Sequence, residues 1–162
     1  MGFGLLLMEY NTFTHGDVQV LITNKRQLGD VLAELLETTG PARLTISTFS
    51  SGEEFLRRLI SLRKRGLVLS ATLYTDFKAA EKTARTNPML RSAFDELRFC
   101  PNHSKMVVVQ GEYGTMTLFT SQNQTRGNRL ESYVLIKDPA VADYAISVLQ
   151  QLKTFPVWTD NN

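Results

Sequence analysis

Apolar and polar positions follow one another in short blocks whose period switches between that of a strand and that of a helix. Asp17 to Thr23 alternates and predicts a strand. Asn24, with Gln27 three residues on, reads as the cap of a helix whose apolar stripe is Leu28, Val31, Leu32, Leu35 and Leu36, ending at Gly40-Pro41. Arg43 to Phe49 predicts the next strand. Ser51 and Glu54 have the spacing of a capping box for a second helix, with Phe55, Leu56, Leu59 and Ile60 facing inward and Gly66 closing it. Leu67 to Thr75 is rich in strand formers and apolar enough to be buried.

The second half is mainly extended. Asp76 to Met89 is polar and predicts a short helix and a loop, with Pro88 as a breaker, before a strand over Phe94 to Cys100. Pro101 leads into a further strand that would carry His103 and run through Met106-Val107-Val108-Val109. That last run is apolar on both faces, as in the middle of a sheet. Glu112-Tyr113-Gly114 reads as the turn of a hairpin to Thr115–Thr120, and Glu131 to Lys137 as the last strand. Asp138-Pro139 opens a closing helix with Val141, Ala145, Val148, Leu149 and Leu152 on one face. The apolar tail Phe155-Pro156-Val157-Trp158 either folds back on the core or meets a second subunit. Strands alternating with helices, and a late hairpin, imply an α/β class: a layered α/β/α sandwich around a mixed sheet.

Composition narrows this only modestly. At 162 residues the length prior is one domain over 1–162, and 43% hydrophobic with 21% charged residues is ordinary for a globular protein. The formal charge of +2 implies no large basic field, so any nucleic-acid contact must come from a local patch. Arg57, Arg58, Arg63, Lys64 and Arg65 are such a cluster; they form either a solvated helix face or a patch that tracks phosphates. Cys100 is the single cysteine, which excludes an intrachain disulfide and fits a reducing, cytoplasmic setting. Gly2 to Met8 is apolar but too short for a membrane span, and has neither the basic start nor the cleavage site of a signal peptide.

Candidate chemistry gathers between Asn102 and Glu131. His103 and Lys105 are two residues apart, as are Ser121 and Asn123, and in extended chain each pair shares a face. An imidazole, an ammonium, a hydroxyl and an amide at the end of a buried strand are suited to an anion. Alone, His103 reads equally as a half-buried histidine satisfied by a carbonyl. Other constellations are poorer. Cys100 and His103 have a C-x-x-H spacing, but His15 is the one remaining histidine and no zinc ligand set completes. Neither a Cys–His nucleophile pair nor a phosphate-binding glycine loop has its usual context. His15 reads as a surface turn residue, and Asp76 as the cap of the turn after its strand.

His103-Ser104-Lys105, a strand, Thr120-Ser121-Gln122-Asn123, and then Asn128 and Glu131 together resemble one catalytic half of the phospholipase D superfamily. That family's motif is H-x-K-x4-D followed by G-S-x-N or G-S-x-x-N. Gln110 stands where the motif has aspartate, Thr120 where it often has glycine, and the segment before Glu131 is short. The resemblance spans about residues 43 to 136 and implies a phospholipase D-like fold. It further implies a phosphodiesterase that works without metal or other cofactor through a covalent phosphohistidine. His103 would be the nucleophile, Lys105 and Asn123 would hold the non-bridging oxygens, and Glu131 would orient the imidazole. Ser121 and Asn128 would stand behind them, with Arg126 and Arg129 in reach of phosphate. The chain holds one H-x-K, so the proton-donating histidine would be His103 of a second subunit in a homodimer with a shared site. A nuclease acting on DNA or RNA is the leading expectation. The alternatives are a lipid phosphodiesterase, for which no amphipathic membrane helix is visible, and a catalytically silent nucleic-acid-binding module.

Overall fold

A computed structural model of the chain describes residues 12–79, 87–123 and 129–159. Nine strands among them form one mixed sheet. In chain order they are β1 (Thr12–His15), β2 (Val18–Thr23), β3 (Ala42–Thr48), β4 (Val68–Asp76), β5 (Glu96–Cys100), β6 (Met106–Gly111), β7 (Gly114–Thr120), β8 (Glu131–Ile136) and β9 (Phe155–Thr159). Their order across the sheet is β1-β2-β8-β7-β6-β3-β4-β5-β9, so β6 lies at the centre. The β3–β4 and β4–β5 pairs are parallel and every other pair is antiparallel.

Helices α1 (Leu28–Thr39), α2 (Glu53–Lys64) and α3 (Asn87–Ala93) cover one face, and α4 (Pro139–Gln151) covers part of the other. This is the expected layered α/β/α sandwich around a mixed sheet. The larger core joins Val31, Leu32, Leu35 and Leu36 of α1 and Leu56 and Leu59 of α2 to Leu44, Ile46, Leu73, Val107 and Leu118 of the sheet. The smaller one sets Ala142, Ala145 and Leu149 of α4 on Met106 and Val108. Met106 to Val109 are buried on both faces, as their unbroken apolar run requires.

Several local expectations shift. The cap of α1 is Gln27, not Asn24: Gln27 and Asp30 form the reciprocal box, with the Gln27 N–H donating to Asp30 Oδ2 at 3.2 Å. The cap of α2 is Gly52, not Ser51, which is buried. Pro88 does not break a helix but sits in the first turn of α3, where its missing N–H costs nothing. Phe94 precedes β5 and is fully buried after α3. The buried face of α4 is Ala142, Ala145 and Leu149: Ala145 and Leu149 lie on the predicted stripe, while its Val148 and Leu152 are exposed and Ala142 takes the place of Val141. His15 ends β1, opposite Val18, rather than lying in the turn itself. The tail folds back: β9 pairs with the edge of β5, and the Phe155 ring lies 5.6 Å from that of Phe77. No described helix is long and apolar enough to cross a membrane.

Candidate active site

The register brings the candidate residues to one end of the sheet. β3 and β4 run parallel and finish at Thr48 and Asp76. β6 runs against β3, so it starts at that end, with Met106 opposite Ser47. β7 returns there, since Phe119 faces Met106, and β8 departs from there, with Tyr133 opposite Thr120. The end of β2 closes the row, Thr23 pairing with Glu131. This is the carboxyl end of the parallel strands, where open α/β sheets place their ligands.

His103 and Lys105 do not lie within β6 as predicted. They occupy an extended segment just before it, still tied to the sheet by the Thr120 N–H donating to Lys105 O at 3.0 Å. The two side chains do share a face: Lys105 Nζ is 3.0 Å from His103 Nδ1 and also donates to His103 O at 3.0 Å. With the ammonium on Nδ1, that nitrogen is the acceptor and the ring proton sits on Nε2. His103 is exposed, and its ring centroid lies 5.4 Å from that of Phe49.

What aims this pair is a residue that the motif skips. Asn102 is buried, and its Nδ2 donates to Ser47 Oγ at 2.9 Å and Tyr74 O at 3.1 Å, while its Oδ1 accepts from the Ser104 N–H at 2.9 Å. Its own N–H donates to Asp76 Oδ2 at 2.7 Å. Asp76 Oδ1 takes the Lys78 N–H at 2.8 Å, so it does cap the turn after β4 and also anchors the histidine segment. Partial burial works against the Asp76 carboxylate. The N–H groups of Asn102 and Lys78, and then the positive charge of Lys78, outweigh that and hold its pKa below the usual value.

The second pair sits on the neighbouring strands. Ser121 Oγ donates to Glu131 Oε2 and accepts the Ser132 N–H at 3.0 Å. Among the described residues, then, Glu131 meets Ser121, and the ring nitrogen of His103 meets Lys105. Gln122, buried between Ser121 and Asn123, plays the part that Asn102 plays on the other side. Its Oε1 accepts from Leu28 N–H at 2.8 Å and Tyr133 OH at 2.5 Å, and its Nε2 donates to Gln27 Oε1 at 2.7 Å. Burial pushes the Tyr133 phenol up, which keeps it a donor. Asn123 turns toward a cleft between α1 and α2, and among the described residues its buried Oδ1 has no hydrogen-bond partner. Arg129 is exposed, and Asn128 and Arg126 lie outside the described residues.

The arginine cluster of α2 is largely neutralised by carboxylates. Arg57 pairs with Glu53, Arg63 with Asp95 at 2.7 Å and Arg65 with Glu37 at 2.9 Å, while Arg58 lies 3.8 Å from Asp30. Cys100 is fully buried, and desolvation followed by the charge of Asp76 pushes its thiol up. Gln110 stands at the far end of β6, opposite Arg43 and Thr115, about five residues or roughly 17 Å of strand from Lys105. Nothing in the sequence marked Asn102, Gln122 or Tyr133; the one available signal was their place beside the motif residues. Among the described residues, no group of three or more His, Cys, Asp or Glu is placed to hold a metal ion.

No protein-family model matches the chain, and no curated protein matches it in sequence. Solved structures do match in fold. A polyphosphate kinase from Porphyromonas gingivalis superposes with a TM-score of 0.62 at 11% identity, over 83% of this chain and 26% of its own. A phosphatidylserine synthase from Haemophilus influenzae Rd KW20 gives 0.55 at 17% identity, over 85% and 40%. TrmBL2, an archaeal chromatin protein described as having a novel mode of DNA binding, gives 0.52 at 13% identity, over 87% and 55%. The chain therefore spans roughly a quarter to just over half of these proteins. At such identities the likeness establishes the fold alone, an α/β sandwich that this chain shares with these three proteins.

Proposed function

We propose that this chain is a metal-independent phosphodiesterase acting on nucleic acid, an endonuclease that works as a homodimer. The observation that carries the reading is the exposed His103 Nδ1–Lys105 Nζ contact of 3.0 Å at the head of the central strand, with a hydroxyl–carboxylate pair at the same sheet end. An arriving phosphate draws Lys105 from the ring onto its non-bridging oxygens, where the amide Nδ2 of Asn123 joins it as charge develops. The imidazole, relieved of the ammonium, gives its Nε2 proton to water and takes one at Nδ1 from water, so that the Nε2 lone pair faces phosphorus while Nδ1–H turns to the Glu131–Ser121 pair. An N–P bond forms as the P–O bond to the leaving strand breaks, and the departing oxygen takes a proton from His103 of the partner subunit. That second histidine then takes a proton from water as the water oxygen attacks phosphorus, and the N–P bond breaks to restore His103.

The likeness to TrmBL2 favours a second reading, a module of this fold that binds DNA without turning it over. One experiment separates the two. The protein is incubated with labelled DNA, RNA and a generic phosphodiester in EDTA, alone and mixed with His103→Ala chains. Cleavage in EDTA is expected, falling as the square of the wild-type fraction, with Lys105→Ala slower by about 10²–10³-fold. Activity that requires added Mg²⁺ would overturn the phosphohistidine route, and a linear fall would overturn the shared site. Salt-sensitive binding with no cleavage would establish the second reading.

A further inference from the structure

We propose that the cleft between the first turn of α1 and the outer face of α2 is a subsite for a single unstacked nucleobase, next to the phosphate that the site holds. The proposal rests on the nucleic-acid phosphodiesterase reading and narrows its substrate to single-stranded or locally splayed strands.

The cleft encloses about 320 Å³. That is at the small end of ligand pockets, ample for one base and too small for a duplex. Leu28 and Phe55 give it apolar walls, and Arg57 and Arg58 stand on its rim. Asn123 lines it from the side of the candidate reacting groups, and among the described residues its Oδ1 is a buried acceptor left unpaired. A buried acceptor without a donor is unfavourable unless a ligand supplies one. The edge of a nucleobase carries N–H donors, and its faces suit apolar walls. Cleft and reaction site are joined directly, because Gln122 accepts the Leu28 N–H at 2.8 Å from between Ser121 and Asn123. One amide can then serve both places: Nδ2 toward phosphate oxygens, Oδ1 toward the base.

The test reads binding, so it does not depend on turnover. Fluorescence anisotropy on His103→Ala chains, which lack the attacking imidazole, compares a labelled single strand, its duplex and the same backbone built of abasic sugars, with and without Ser61→Trp. Ser61 is exposed on the cleft wall, so the indole plugs the cleft without entering the core. The single strand should bind at least about tenfold more tightly than the abasic strand. Ser61→Trp should erase that advantage and leave abasic affinity unchanged. Titration of wild-type protein with adenosine monophosphate should move the backbone amide signals of Leu28, Gly29 and Asn123. Equal affinity for abasic and base-bearing strands, an unchanged Ser61→Trp, unmoved amides or no binding at all would each overturn the subsite. If the affinities behave as expected and nothing is cleaved, the subsite stands and the catalytic reading falls. If abasic and base-bearing strands bind alike and are cleaved alike, the reverse holds.

Discussion

The two ends of the central strands are built from different materials. At the far end backbone packs on backbone. Gly111 closes β6 so near the end of α1 that a Cβ there would come within 2.5 Å of Thr39 Cβ and O. Gly40 turns the chain with φ at +70°, and the Tyr113 N–H donates to Thr39 O at 2.8 Å. No room remains for a side chain at Gly111. At the other end, two segments leave the regular ladder and are held instead by buried amides, Asn102 beneath His103 and Gln122 beside Ser121. Holding a segment by its side chain leaves its neighbours pointing outward and exposed. The difference shows how one sheet can be closely packed at one end and present exposed polar side chains at the other.

Substitutions should therefore separate stability from turnover according to which end they strike. Gly111→Ala forces a methyl against backbone that cannot yield and should cost about 3 kcal/mol of stability. Molecules that remain folded should cleave at the wild-type rate, because Gly111 lies at the end of β6 opposite the candidate site. Asn102→Ala strips the Ser104 N–H and Tyr74 O of a partner and should cost about 2 kcal/mol. It should in addition slow turnover by at least about tenfold, since His103 loses its aim. Urea melts beside rates normalised to folded protein check both. A turnover defect in Gly111→Ala, or none in Asn102→Ala, would break the division.

A smaller effect sharpens the account of the histidine side. The folded Asp76 carboxylate has its pKa below the unfolded value of about 3.9. Its stabilisation is complete above that value and disappears as pH falls through the lower, folded pKa. Asp76→Asn cannot titrate. Wild type should thus exceed the variant most at neutral pH, and the gap should shrink below about pH 4 and close in stronger acid. Denaturant midpoints measured across that range decide the matter. A gap that stays constant down to strong acid would mean that the Asp76 charge contributes nothing.

How much of this was legible follows from what periodicity can carry. The stripe of α1, the strand–helix–strand unit from β3 to β4 and the β6–β7 hairpin were readable because burial imposes a period on the sequence. The motif residues were readable as types, and the register explains why they share one sheet end. Caps were misplaced because Asn24 and Ser51 have the right chemistry one to three residues before the true boundaries at Gln27 and Gly52. The face of α4 was misread because a helix covering a half-polar sheet buries only small residues, Ala142 and Ala145, beside Leu149. Asn102 and Gln122 stayed hidden for a deeper reason. A buried amide looks like a loop amide until the strands around it are in place. β1 escaped as well, being four residues long at the sheet edge.

The smallest predicted effect concerns the position where the motif calls for aspartate. Gln110 lies on the far side of the division, roughly 17 Å along β6 from Lys105, half-buried between Arg43 and Thr115. A carboxylate placed there would act on a phosphate at the site only through space. At that separation in water the interaction is about 0.2 kcal/mol, and physiological salt, with a screening length of about 8 Å, reduces it further. The local consequences also oppose one another, since Arg43 would attract the new charge and Asp143, in the same groove, would repel it. Gln110→Asp should therefore change stability by no more than about 0.5 kcal/mol and turnover by less than about twofold. Steady-state cleavage of a single-stranded substrate by both proteins, under identical salt, gives the comparison. A gain of tenfold or more would show that the far end of β6 does speak to its reacting end, and that the two ends are not the separate structures described above.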